Sequence, residues 1–150
     1  MAQKDILEKA GDYSLETCEI VSYRLAENNL PRTVDIKLIT GSIELTENIF
    51  ESCMIGKIQV YDSQDIRTIL PITGMDKLNL KFNTPGFDGV NFTEEQGRQF
   101  HIYKIEQVKQ DPNSQRSQGY DIFFTSKEYY YNFLTKVSRS YKGPIEYAIE

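Results

Sequence analysis

The chain holds one histidine, His101. A general acid or base needs an orienting partner and a pocket. His101 lies between Phe100 and Ile102 in a β-like stretch with no partner visible in the sequence, so it reads as a partly exposed strand residue. Cys18 and Cys53 form no Cys-x-x-Cys pair, and with a single distant histidine they give no zinc-ligand spacing. Both stand in apolar or β-like surroundings and read as small buried hydrophobes. Asp62, Asp65 and Asp76 raise the question of a metal, but Asp62-Ser63-Gln64-Asp65 lacks the glycine turn and terminal glutamate of a calcium loop. Helix capping accounts for Asp62 more simply.

Glu94 and Glu95 are neighbours, so on an extended chain they point apart and make no carboxylate dyad. Asn91-Phe92-Thr93 matches a glycosylation triplet, which matters only in a secreted protein. The charged start, Met1 to Ala10, has no apolar signal-peptide region. Tyr129-Tyr130-Tyr131 could stack on bases, but no basic patch surrounds it, and two core-facing rings with one at a rim is the simpler reading. No phosphate loop, dinucleotide fingerprint or Gly-x-Ser-x-Gly elbow is present. These residues predict a protein that is not an enzyme and uses no cofactor or metal.

The elements that must position these residues are mostly strands. Thr17 to Ala26 is β-like, and Asn28-Asn29-Leu30-Pro31 is a turn cluster. Val34, Ile36 and Leu38 then alternate with Thr33, Asp35 and Lys37, the period of a half-exposed antiparallel strand. Ile43 and Leu45 resume the alternation after Gly41. Met54 to Tyr61 is a further strand, and Asp62-Ser63 caps a short helix through Ile66, Ile69 and Leu70 that Pro71 ends. Leu78, Leu80 and Phe82 alternate with Lys77, Asn79 and Lys81, the cleanest strand in the chain. Asn83 to Gly97 reads as an extended loop. Phe100 to Val108 and Gly119 to Thr125 read as a hairpin with Asp111-Pro112-Asn113-Ser114 at its tip.

Helical period appears at the two ends of the chain. Lys4 to Gly11 suggests one or two turns. Thr125 with Glu128 fits a capping box, followed by a stripe of Tyr130, Phe133, Leu134, Val137 and Tyr141. Gly143-Pro144 ends that helix and begins another through Ile145, Ala148 and Ile149 that stops in mid-element, as in a fragment of a longer chain. The domain division that follows is 1–142 for the β domain and 143–150 for the start of a further helix.

At 150 residues the chain can bury one core. Hydrophobic residues are only 39%, with 10 Tyr and 8 Phe supplying much of the bulk, which suits a half-buried pleated surface. The net charge of −5 repels phosphate and removes the main driving term for sequence-independent nucleic-acid binding. No apolar run is long enough for a membrane-spanning helix. The composition predicts a soluble protein made in a reducing cytoplasm.

One segment goes beyond generic β-sequence. Gly56-Lys57-Ile58-Gln59-Val60-Tyr61-Asp62-Ser63-Gln64-Asp65-Ile66 leads to Leu70-Pro71-Ile72-Thr73-Gly74, then Leu78 to Phe82 and Asn83-Thr84-Pro85-Gly86. This resembles the first part of the baseplate hub proteins of T-even-like contractile-tailed bacteriophages, where a Gly-led strand ending in Tyr-Asp-Ser runs into a short helix. The resemblance spans roughly Thr17 to Pro144. It implies a mainly β fold: two antiparallel sheets packed steeply as a barrel-like tail-tube domain, with an amphipathic helix near the C-terminus. It also implies a structural role in the virion, in the tail baseplate, assembled in the host cytoplasm. The expected assembly is a trimer or six-fold-like ring that joins the central spike protein to the tail tube. Tape-measure protein and DNA would pass through its channel in transit, with no direct membrane insertion.

The surfaces expected to meet a neighbour or the channel are Thr33, Asp35 and Lys37 on the polar strand face, and Phe87, Asp88, Asn91, Phe92 and Glu94 in the long loop. The alternative is a small ligand- or carbohydrate-binding β-barrel accessory protein, which predicts a pocket with convergent polar groups.

Overall fold

A computed structural model describes residues 13–25, 31–51, 53–84, 89–110, 117–136, 138, 140 and 142. The expected helix at Lys4 to Gly11, the turn at residues 28–30, the hairpin tip at 111–114 and the segment 143–150 lie outside these. The described chain runs β1 (Ser14–Leu25), β2 (Pro31–Asp35), β3 (Thr40–Glu47), β4 (Met54–Asp62), α1 (Ile66–Ile69), β5 (Lys77–Asn83), β6 (Val90–Phe92), β7 (Phe100–Gln110), β8 (Gln118–Thr125) and α2 (Lys127–Leu134). The strands form one antiparallel eight-stranded sheet in the order β2-β1-β5-β7-β8-β4-β3, with β6 also paired to β5. The sheet does not close: among the described residues β2 pairs only with β1, and β3 only with β4.

Period-two alternation sets the core. One face of the sheet contributes Cys18 and Ile20 from β1, Ile58 and Val60 from β4, Leu78 and Leu80 from β5, Phe100 and Ile102 from β7, and Tyr120, Ile122 and Phe124 from β8. All are buried in one cluster, joined by Ile36, Ile66 and Leu70 from the connections. Near the middle of the path the pairing is thin. β5 meets β7 only at Lys77 opposite His101 and Leu78 opposite Phe100, and β6 takes the rest of that edge of β5.

Several local expectations change. The alternation from Thr33 to Leu38 does not run as one strand, because β2 stops at Asp35 and Lys37–Ile39 makes a 3-10 turn. The Asp35 carboxylate accepts the Lys37 N–H at 2.8 Å, and the Ile36 N–H reaches the Cys18 carbonyl at 2.9 Å. Those bonds bend the chain, bury Ile36 and leave Leu38 facing solvent. The loop expected at Asn83 to Gly97 contains β6, three residues paired to Leu80–Phe82.

At α2 the capping box does not form. Thr125 ends β8 with its hydroxyl donating to the Met54 carbonyl, and Ser126 takes the N-cap position. The Ser126 hydroxyl accepts the Met54 N–H at 3.2 Å and so ties the helix start to β4. The helix ends at Leu134, short of the expected stripe, and Leu134 is exposed.

Candidate interaction surface

The carboxylates that invited a metal reading hold backbone instead. Asp62 is buried, and its two oxygens accept the N–H groups of Gln64 at 2.9 Å and Ile66 at 2.8 Å. The Tyr120 hydroxyl also donates to Asp62, at 3.3 Å. Burial first, then the neighbouring Asp62 charge, pushes the Tyr120 hydroxyl well above its ordinary range. The formal N-cap of α1 is Asp65, held in a left-handed conformation at φ 57°, and Asp62 satisfies the helix start from one turn earlier.

Asp76 is fully buried. It accepts the N–H of Thr73 at 2.6 Å and that of Tyr23 at 3.1 Å, while its carbonyl accepts the Ile102 N–H at 3.0 Å. One aspartate therefore joins β1, the turn before β5 and β7. Among the described residues no three His, Cys, Asp or Glu side chains lie together as a metal site would need.

His101 lies flat against Tyr130 of α2, with ring centroids 4.9 Å apart and 5° between the planes. Burial, and next the positive charge of Lys77, holds its imidazole below the ordinary range. Cys18 is buried beside the Thr40 hydroxyl at 3.6 Å, and burial pushes its thiol up to about 11, which keeps it from acting as a nucleophile. Cys53 is half-buried and free, on a cavity of about 340 Å³ also lined by Met54, Phe92, Arg98 and Lys127.

The residues expected on an interaction surface divide. Thr33, Asn91 and Glu94 come together on the rim of an open cleft of about 550 Å³, with Glu19, Asn79 and Lys81 on its floor and walls. Asn91 accepts the Thr93 hydroxyl, and Asn79 accepts an N–H of Gln99 at 2.8 Å. Asp35 and Lys37 lie outside that cleft, at the exposed corner between β2 and β3. Phe92 belongs with the core: its ring stacks on Phe100 with centroids 4.3 Å apart, because β6 is paired to β5 and turns the side chain inward. Phe87 and Asp88 lie outside the described residues.

The sequence reading missed the apolar surface. Leu38 is 95% exposed, and Ile49 and Phe50 in the turn between β3 and β4 are each 92% exposed. These side chains flank β3, a strand whose outer side pairs with no described strand. The signal was available as two apolar dipeptides, Leu38-Ile39 and Ile49-Phe50, placed evenly on either side of the strand. A second exposed group, Tyr103, Tyr129 and Tyr131, lies on β7 and α2. No described helix is long and apolar enough to cross a membrane. Comparison with models of protein families, with curated proteins and with solved structures finds no match to the chain.

Proposed function

We propose that this chain is a structural module that joins copies of itself into a ring, in the manner of a baseplate hub domain linking the tail spike to the tail tube of a contractile phage. The observation that supports it is the open sheet: β2 and β3 each end the hydrogen-bonded path, with one side unpaired among the described residues. Unpaired strand edges are normally short, charged or covered because they template further pairing. β2 is short and begins with Pro31, whereas β3 runs eight residues and is flanked on both sides by turns with exposed apolar side chains.

The finer architecture belongs to the same proposal: two antiparallel layers packed steeply into a barrel-like unit. The two-position contact between β5 and β7 and the short chain turn from β2 into β3 are where such layers would meet. Proteins that share its virion would be the spike, the tube and the tape measure. The acidic chain suits a channel through which DNA slides without sticking.

Light scattering and negative-stain electron microscopy of the purified chain over a range of concentrations test this. Closed rings of three or six copies are expected. A chain that stays monomeric at every concentration would overturn the reading.

A second reading keeps one observation on its side. The polar cleft of Thr33, Asn79, Lys81 and Asn91 presents hydroxyl, amide and ammonium groups around a concave floor, as a small polyol or sugar site does. Amide NMR shifts confined to those residues on adding a glycan panel would favour it.

A further inference from the structure

The segment Lys37–Glu51 is a pseudo-palindrome about Glu44. Reading outward from Glu44, Ile43 matches Leu45 and Ser42 matches Thr46; Gly41, where the β3–β4 register shifts, breaks the symmetry against Glu47; Thr40 then matches Asn48, Ile39 matches Ile49, Leu38 matches Phe50, and Lys37 is opposite in charge to Glu51. Its centre is β3, the end strand of the sheet, whose outer side pairs with no described strand.

From this we infer that two copies of the chain join through β3, antiparallel about a twofold axis at Glu44. An antiparallel pair of identical strands must place each residue opposite its mirror position. A register centred on a residue keeps core-facing side chains opposite core-facing ones, whereas one centred between residues would set Ile43 against an outward-facing partner. Centred on Glu44, Ile43 and Leu45, both packed against the core, lie opposite Leu45 and Ile43 of the second copy. Lys37–Ile39 is a 3-10 turn and residues 48–51 form a turn, so both leave the ladder, and the exposed Leu38 of one copy and the exposed Ile49 and Phe50 of the other are brought to the same end of the paired strands. Shifting the register by two residues either way sets Leu45 against Gly41 or Ile43 against Glu47.

Charge favours the same alignment. Lys37 and Glu51 are both exposed and lie just beyond opposite ends of β3, so an antiparallel pair brings a lysine of one copy and a glutamate of the other to each end. At the axis two Glu44 carboxylates face each other, but Lys57 holds each from behind at 2.9 Å, giving a row of lysine, glutamate, glutamate, lysine across the pair. Like charges directly opposite one another weaken a strand pair, so the residue at the axis tunes its strength. This pairing joins one patch to itself, whereas a ring joins two different patches. It therefore stands or falls separately from the ring reading, and a pair using the β3 edge keeps that edge from ring assembly until the pair opens.

Cross-linking of the full chain in a Cys53→Ser background tests the inference. Glu44→Cys is expected to give a covalent dimer under mild oxidation, because only the axis residue lies opposite itself. Ser42→Cys and Thr46→Cys should cross-link when mixed but not alone, since two Ser42 positions lie about 13 Å apart along the ladder, beyond disulfide reach. Glu44→Gln should tighten the pair roughly two- to fivefold in sedimentation, and Leu38→Asp with Phe50→Asp should abolish it.

A chain that sediments as a monomer throughout would overturn the inference, as would a dimer in which Glu44→Cys does not cross-link. Rings without the Glu44 cross-link would sink the twofold pair and leave the ring standing. The cross-linked dimer without any ring would do the reverse.

Discussion

Gly56 and Phe124 are paired across β4 and β8, and the Phe124 ring lies where a Gly56 side chain would be. A Cβ built on Gly56 would come within 2.3 Å of the ring and 2.8 Å of the Glu44 carbonyl. The ring can shift but the carbonyl, on the neighbouring strand, moves only with β3. Gly56→Ala is expected to destabilise the fold by about 1–3 kcal/mol, the usual range for overpacking. Urea denaturation would show it, and Phe124→Leu in the same chain should return part of the loss. If the two changes add with no coupling, the contact does not limit residue 56.

Asp76 is the second position where one side chain fixes several elements. Asp76→Ala leaves the Thr73 and Tyr23 N–H groups without their acceptor. A fully buried donor so orphaned costs about 1–3 kcal/mol; these two are part-buried, so each should cost toward the lower end of that range, and Asp76→Asn, which keeps one carbonyl oxygen, should lose less. A denaturation midpoint for Asp76→Ala equal to that of the parent would show that these bonds do not hold the sheet.

His101 gives a pH dependence of known sign. Its folded-state pKa is depressed, so the contribution to stability is present above the unfolded value near 6.5 and is lost as pH falls through the folded value. A proton-detected titration of the imidazole should therefore find a pKa below 6.5. Tyr130→Ala uncovers the ring and should move it back up toward that value. A wild-type titration at or above 6.5 would contradict the stacked, partly buried geometry.

The thiols should separate by reagent. With its pKa pushed up to about 11, Cys18 is nearly all thiol at pH 8, while half-buried Cys53 is open to attack. A disulfide reagent should label Cys53 in the native protein and Cys18 only on unfolding. Because the folded value exceeds the ordinary thiol value of 9.0, the stability Cys18 adds is full below pH 9 and fades as pH rises toward 11. Equal labelling rates in the native state would place Cys18 outside the core.

The strands that read most plainly from the sequence are those where period two meets a single buried face. Leu78 and Leu80 in β5 and Ile58 and Val60 in β4 are buried as their alternation requires. The Tyr61-Asp62-Ser63 block also has a local reason, since Asp62 satisfies the N–H groups that open α1. What the sequence hid depends on distant partners. Asp76 finds Tyr23, 53 positions away, and Thr125 and Ser126 spend their hydroxyls on Met54, where a local reading expected a capping box. The polar alternation at Thr33 to Lys37 failed because an aspartate bonding two residues ahead competes with strand geometry. Of the expected surface residues, Phe92 was lost to the core once β6 paired with β5, and the apolar flanks of β3 went unseen because each looked like half of an ordinary strand.

β2 and β3 stand at opposite ends of the sheet, yet only Ile36 and the Lys37–Ile39 turn separate them in the chain. These two edges, unpaired among the described strands, therefore share a pivot, pinned where Ile36 bonds to Cys18 and Thr40 bonds back to Ile36. Whatever grips one rim sets the angle at which the other is offered, much as the blades of a pair of shears are constrained by their rivet.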